Sequence, residues 1–78
     1  MSEHPSPAEV EPVEFDRIGT VSAETGLPKS TIYWMVREGR FPKPVRIGQK
    51  SVAWIRPEVR AWMKARIAER DAAVTEAA

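Results

Sequence analysis

Cysteine is absent from the 78 residues, which excludes disulfide staples and thiolate metal sites. Histidine occurs once, as His4, between prolines near the N-terminus. With no nucleophilic thiol, no histidine in a patterned segment and no spaced carboxylate pair, the chain reads as a non-enzyme with no cofactor, metal or small-molecule substrate. Long apolar runs are also missing, and none approaches the roughly 20 residues that cross a bilayer. The opening Met-Ser-Glu-His-Pro-Ser-Pro lacks the basic-then-apolar order of a secretory signal. A cytoplasmic, reduced setting without membrane contact is therefore expected. Chains of this length make one domain at most, and a core this small supplies only about 3–5 kcal/mol. The large side chains available to it are Trp34, Trp54 and Trp62.

Basic residues are missing from one region and concentrated in another. Residues 1–16 hold five acids and no lysine or arginine, whereas all twelve basic residues lie between Arg17 and Arg70. Only four acids share that stretch, so twelve less four leaves +8 there, against a net charge of +1 for the whole chain. A basic domain between acidic ends suits a polyanionic partner.

Residues 1–14, with Pro5, Pro7, Pro12 and four glutamates, carry no periodicity and are expected as a disordered acidic arm. Phe15 to Ile18 suggests a short edge strand entering a domain that runs from 15 to 70. A first helix is predicted over Thr20 to Thr25, packing through Val21 and Ala23. Gly26 suits a left-handed stop, Leu27 would fill the angle behind it, and Pro28 suits the first turn of a second helix. That helix is predicted over Lys29 to Glu38 with Gly39 as its stop. Ile32, Met35 and Val36 share its inward face, while Ser30, Tyr33 and Arg37 share the outward one.

Pro42 and Pro44 rule out regular structure across Arg40 to Pro44. Val45–Ile47 and Ser51–Ile55 then read as a hairpin with Gly48, Gln49 and Lys50 at its tip. A last helix starts near Arg56-Pro57-Glu58, with Val59, Trp62, Met63 and Ile67 as an apolar stripe. Arg56, Arg60 and Lys64 form a row expected to be a solvated face. Residues 71–78 read as a fraying helix end or a flexible tail. The order is mainly α with a small β-hairpin, that of a winged helix-turn-helix.

Thr25 to Tyr33 (Thr-Gly-Leu-Pro-Lys-Ser-Thr-Ile-Tyr), Glu38 to Pro44 (Glu-Gly-Arg-Phe-Pro-Lys-Pro), Ile47-Gly48, Val52-Ala53-Trp54 and Glu58 to Trp62 (Glu-Val-Arg-Ala-Trp) together resemble the AlpA-type phage regulators. Those are similar in turn to excisionases and to the DNA-binding head of MerR-type activators. The resemblance covers Phe15 to Ile67. It implies a winged helix that binds double-stranded DNA, as a transcriptional regulator of a prophage or mobile element, or as a directionality factor that bends DNA for an integrase. A nucleoid location and cooperative copies on repeated sites follow from it. Two positions depart from the family pattern: Pro28 stands where a serine N-cap is usual, and Trp34 where arginine or another polar group is usual. Trp34 would pack against the wing or lie on the sugar-phosphate backbone.

By position, the resemblance places Lys29, Ser30, Tyr33 and Arg37 on the recognition helix, and Thr31 and Trp34 on the same helix join them as candidate DNA contacts. Hydroxyls at Ser30 and Thr31 can donate to phosphate or a base edge, or simply be solvated. Tyr33 can donate to phosphate, meet a thymine methyl, or sit half-buried. Arg37 can reach guanine or phosphate, or pair with Tyr33 or Phe41. Arg46, Gln49, Lys50 and Ser51 belong to the wing, and Arg40 and Lys43 to the proline corner, as candidates for phosphate or the minor groove. Trp54, Trp62, Met63 and Ile67 are expected in the core. No heptad drives dimerisation, so a monomer is expected in solution. The alternative reading is an adaptor that uses the same fold to grip a protein.

Overall fold

The computed structural model describes residues 14–77. Of the expected acidic arm, residues 1–13 lie outside the described residues. Glu14 belongs to the folded domain, because its carbonyl accepts from the Arg56 N–H at 2.8 Å.

The chain runs β1 (Phe15–Asp16), α1 (Ile18–Thr25), α2 (Lys29–Arg37), β2 (Val45–Arg46), β3 (Val52–Ile55) and α3 (Arg56–Ala77). Three antiparallel strands form one sheet in the order β1-β3-β2. Phe15 faces Ile55 and Asp16 faces Trp54 on one side of β3; Val45 faces Ala53 and Arg46 faces Val52 on the other. This is the winged-helix plan: two helices at a tight turn, a β2–β3 wing, and a closing helix.

Val21, Ile32, Phe41, Trp54 and Val59 form the buried core, with Ile18, Leu27, Met35, Val36, Val52, Trp62 and Met63 packed around it. Every element except β1 and β2 contributes a residue to that buried set, so no helix or hairpin can leave without exposing apolar surface.

The α1–α2 turn is set by local chemistry. Gly26 closes α1 at φ 78° and its N–H donates to the Ser22 carbonyl at 2.8 Å. Two hydroxyls complete the turn. Thr25 Oγ1 donates to the Val21 carbonyl and accepts from the Leu27 N–H, while Ser22 Oγ donates to the Leu27 carbonyl at 2.6 Å. These bonds satisfy polar groups at the end of α1 and fix the angle at which α2 leaves.

Several expected boundaries move for identifiable reasons. Arg17 is the extended N-cap of α1 (ψ 169°) and Ile18 opens the helix. Ile18 therefore packs on the core in place of Ala23, which is exposed. Pro28 sits one residue earlier than expected, as the N-cap rather than a first-turn residue. Its extended ψ of 151° lets the carbonyl accept from the Ile32 N–H, but no side chain caps the helix. Ile47 lies outside β2 and is exposed.

Helix α3 continues to Ala77, through the stretch expected as a fraying helix end or a tail, and at about 1.5 Å per residue its 22 residues outrun the small sheet beneath them. Ile67, expected in the core, is exposed.

Candidate nucleic-acid interface

Helix α2 is seated on the sheet by Ile32, which is fully buried, and by Tyr33, whose ring lies 6.0 Å from that of Trp54 at a 55° tilt. Tyr33 is still 40% exposed and Trp34 is 44% exposed, while Lys29, Ser30 and Arg37 are also exposed. At 100° per residue, Ser30, Trp34 and Arg37 share the outward face, with Tyr33 at its edge against the sheet. Thr31 is half-buried, on the opposite flank of the helix from Lys29.

Past α2 the chain turns through a Schellman motif. Gly39 (φ 73°) donates its N–H to the Val36 carbonyl at 3.1 Å, and Arg40 donates its own to Met35 at 2.8 Å. Only a residue tolerant of positive φ fits here. The proline corner that follows has no strand partner, and its carbonyls are taken by indole N–H groups instead. Trp62 Nε1 donates to Arg40 at 2.7 Å and Trp54 Nε1 to Pro42 at 2.8 Å. Phe41, buried between them in sequence, meets Trp62 edge-on at 4.8 Å. The tryptophans therefore do more than fill volume: they fix the segment that carries Arg40 and Lys43.

The wing tip is tied by Ile47 N–H to the Ser51 carbonyl at 2.9 Å and by Arg46 Nη1 to the Gln49 carbonyl at 3.2 Å. Arg46, Gln49 and Lys50 are all exposed and Ser51 is half-buried. Arg46 thus braces the tip while keeping its charge.

Electrostatic partners divide the cations into two groups. Arg56 makes a bidentate pair with buried Asp16, through Nε at 2.9 Å and Nη2 at 2.7 Å, and adds Glu14 at 2.6 Å. Those hydrogen bonds hold the Asp16 carboxyl below its ordinary value, against the opposing effect of burial, and raise Arg56 above its own. Arg60 reaches Glu24 at 3.4 Å, Arg66 pairs with Glu69 and Arg70 with Asp71. By contrast, none of Lys29, Arg37, Arg40, Lys43, Arg46 and Lys50 makes an ion pair among the described residues. Arg17 and Lys64 also lack one. The pairing of Arg37 with Tyr33 or Phe41 is not formed. Trp34 meets Arg40, whose Cζ lies 5.7 Å from the ring centre, and no Trp34 contact with the wing occurs among the described interactions.

Sequence reasoning missed Asp16 and Arg56 as a pair. Asp16 reads from sequence as part of an edge strand and Arg56 as part of a solvated row, whereas together they join β1 to the start of α3. An acid inside a short apolar strand segment was the available signal.

No group of histidine and acidic side chains among the described residues can hold a metal, and no described helix is long and apolar enough to cross a membrane. Residues 15–67 match the sequence model of the prophage CP4-57 regulatory protein (AlpA) family. The chain is 45% identical over 75 residues to the uncharacterized protein ORF88 of enterobacteria phage P4, with 85% of each chain covered. No solved structure matches. The matched span begins at β1, takes in the helix-turn-helix and the wing, and ends within α3, and with that extent the chain belongs to the AlpA family of phage regulatory proteins.

Proposed function

We propose that the protein binds double-stranded DNA in a sequence-dependent way and regulates phage or mobile-element genes. Helix α2 enters the major groove, where each base pair offers a distinct pattern of donors and acceptors. The wing and the proline corner rest on flanking phosphates or the adjacent minor groove. Ser30 and Arg37 face the bases, and Lys29, Arg40, Lys43, Arg46 and Lys50 supply the charge.

One observation carries this reading. The cations on α2, the corner and the wing have no ion-paired acid among the described residues, whereas four of those on α3 are paired. Unpaired, exposed charge does little for a fold, and its concentration on the elements that a winged helix presents to DNA suits phosphate binding.

Selection of binding sites from random duplex DNA, at two salt concentrations, tests the proposal. A short enriched motif, with affinity lost in Arg37→Ala and Lys50→Ala, is expected. Absence of enrichment would leave the adaptor role as the better account. The same duplex in a permuted-site gel assay distinguishes two uses of one surface: a large bend points to assistance of an integrase, and a straight complex at a promoter points to transcriptional control.

A further inference from the structure

Two arginine–tryptophan stacks occur in this small domain, and they differ in one respect. Arg66 lies over Trp62, with Cζ 5.1 Å from the ring centre, and its guanidinium is held by both carboxylate oxygens of Glu69 at 3.1 and 2.7 Å. Arg40 lies over Trp34 at 5.7 Å with no acid on it among the described residues. The first stack is neutralised internally and the second is left open.

Resting on the DNA-binding reading above, we infer that Trp34 is a positioning residue whose indole holds the Arg40 guanidinium ready for a backbone phosphate beside the C-terminal end of α2. The Arg40 backbone is fixed on both sides, its N–H bound to Met35 and its carbonyl to Trp62. What remains free to rotate is the long side chain, and immobilising an arginine costs rotamer entropy. A ring already beneath it removes part of that cost before DNA arrives. A contact with the ring face takes up no guanidinium hydrogen bond, so the N–H groups stay available for the paired bonds that phosphate oxygens accept. Position argues for phosphate over base. In a helix-turn-helix the N-terminal part of the recognition helix meets the bases, and Arg40 lies beyond the opposite end, after Gly39.

An exposed indole on the outward face of α2 also has its own explanation in this arrangement. Trp34 contributes little to the core, and its Nε1–H has no partner among the described residues. Its described contact is the cation it supports.

The test has two arms on the full chain. In the free protein, proton NMR should show the Arg40 side-chain protons shifted upfield by the indole ring, with the shift lost in Trp34→Ala and kept in Trp34→Phe. On the selected duplex, Arg40→Ala and Trp34→Ala should each weaken binding, the latter by about 2–5-fold, the scale of an exposed cation–π contact. Trp34→Phe should restore most of the loss, and the double variant should bind no worse than Arg40→Ala alone. Arg40→Ala should also flatten the salt dependence by about 0.9. Additive losses, or unshifted Arg40 protons beside a large Trp34→Ala defect, would overturn the inference and make the indole itself the DNA contact. Unchanged affinity in Trp34→Ala removes this role alone. A wild-type protein that ignores DNA removes the DNA-binding reading with it, while leaving the upfield shift in place.

Discussion

Raising salt from about 50 to about 200 mM is expected to weaken duplex binding by about a thousandfold, and the structure supplies the basis for that figure. Each phosphate neutralised by a protein cation contributes about −0.9 to the slope of log affinity against log salt. Six cations on α2, the corner and the wing have no ion-pair partner among the described residues: Lys29, Arg37, Arg40, Lys43, Arg46 and Lys50. Six contacts set a ceiling of about −5 on the slope, which over a fourfold change in salt is three orders of magnitude. Fluorescence anisotropy of a labelled duplex across a salt series measures it. Arg37→Ala and Lys50→Ala should each flatten the slope by about 0.9. Arg66→Ala should leave it unchanged, because Glu69 already holds that guanidinium. A slope shallower than about −2, or an Arg66→Ala effect as large as that of Lys50→Ala, would refute the division of cations on which the interface rests.

Two further outcomes follow from the fold. Asp16 titrates below its ordinary value of 3.8 because Arg56 hydrogen-bonds its charged form; its stabilising contribution is complete above that ordinary value and lost as pH falls through the lower folded-state value. Thermal melts from neutral pH down to about pH 2 should therefore show an acid limb that is weaker in Asp16→Asn, and an equally steep limb in that variant would locate the acid sensitivity elsewhere. Trp54→Phe removes the N–H that satisfies the Pro42 carbonyl and opens space in a fully buried site, for a loss of about 1–3 kcal/mol. Urea titration should register a much lower midpoint, and an unchanged midpoint would mean that the corner is held by something other than this bond.

Local signals carried most of the fold into the sequence. Gly26 and Gly39 marked helix ends because positive φ is easy only for glycine, and both adopt it. Ile32 was legible as core because helical period alone puts it opposite Ser30 and Arg37. The wing was legible because Gly48-Gln49-Lys50 separates two apolar runs. What stayed hidden depended on distant residues. Asp16 and Arg56 are 40 positions apart, and no local pattern says that a strand and a helix start will meet. Ile67 fitted the apolar stripe of α3, yet whether a stripe is covered depends on how far the partner sheet extends, and β3 has only four residues. For the candidate interface, sequence reasoning could assign the exposed cations to α2, the proline corner and the wing. It left Trp34 open between two roles, since the contact that bears on them joins α2 to a side chain beyond the Schellman turn.

The separation of paired from unpaired cations has a cause that runs along the chain. Between Gly26 and Ile55 there are six basic residues and one acid, Glu38. The acids that form ion pairs, Glu14, Asp16, Glu24, Glu69 and Asp71, all lie before that stretch or after it. Packing brings β1 and α1 against the first turns of α3, where Asp16 and Glu24 find Arg56 and Arg60, so one set of charges is used to join the ends of the domain. No acid but Glu38 is available within the helix-turn-wing segment, and Glu38 makes no ion pair among the described residues. The strong asymmetry first visible as an acidic arm beside a basic domain therefore has a second level inside the domain. Acids placed at the two ends of the fold serve its closure, and their scarcity in the middle leaves α2, the corner and the wing with positive charge that no ion pair among the described residues neutralises.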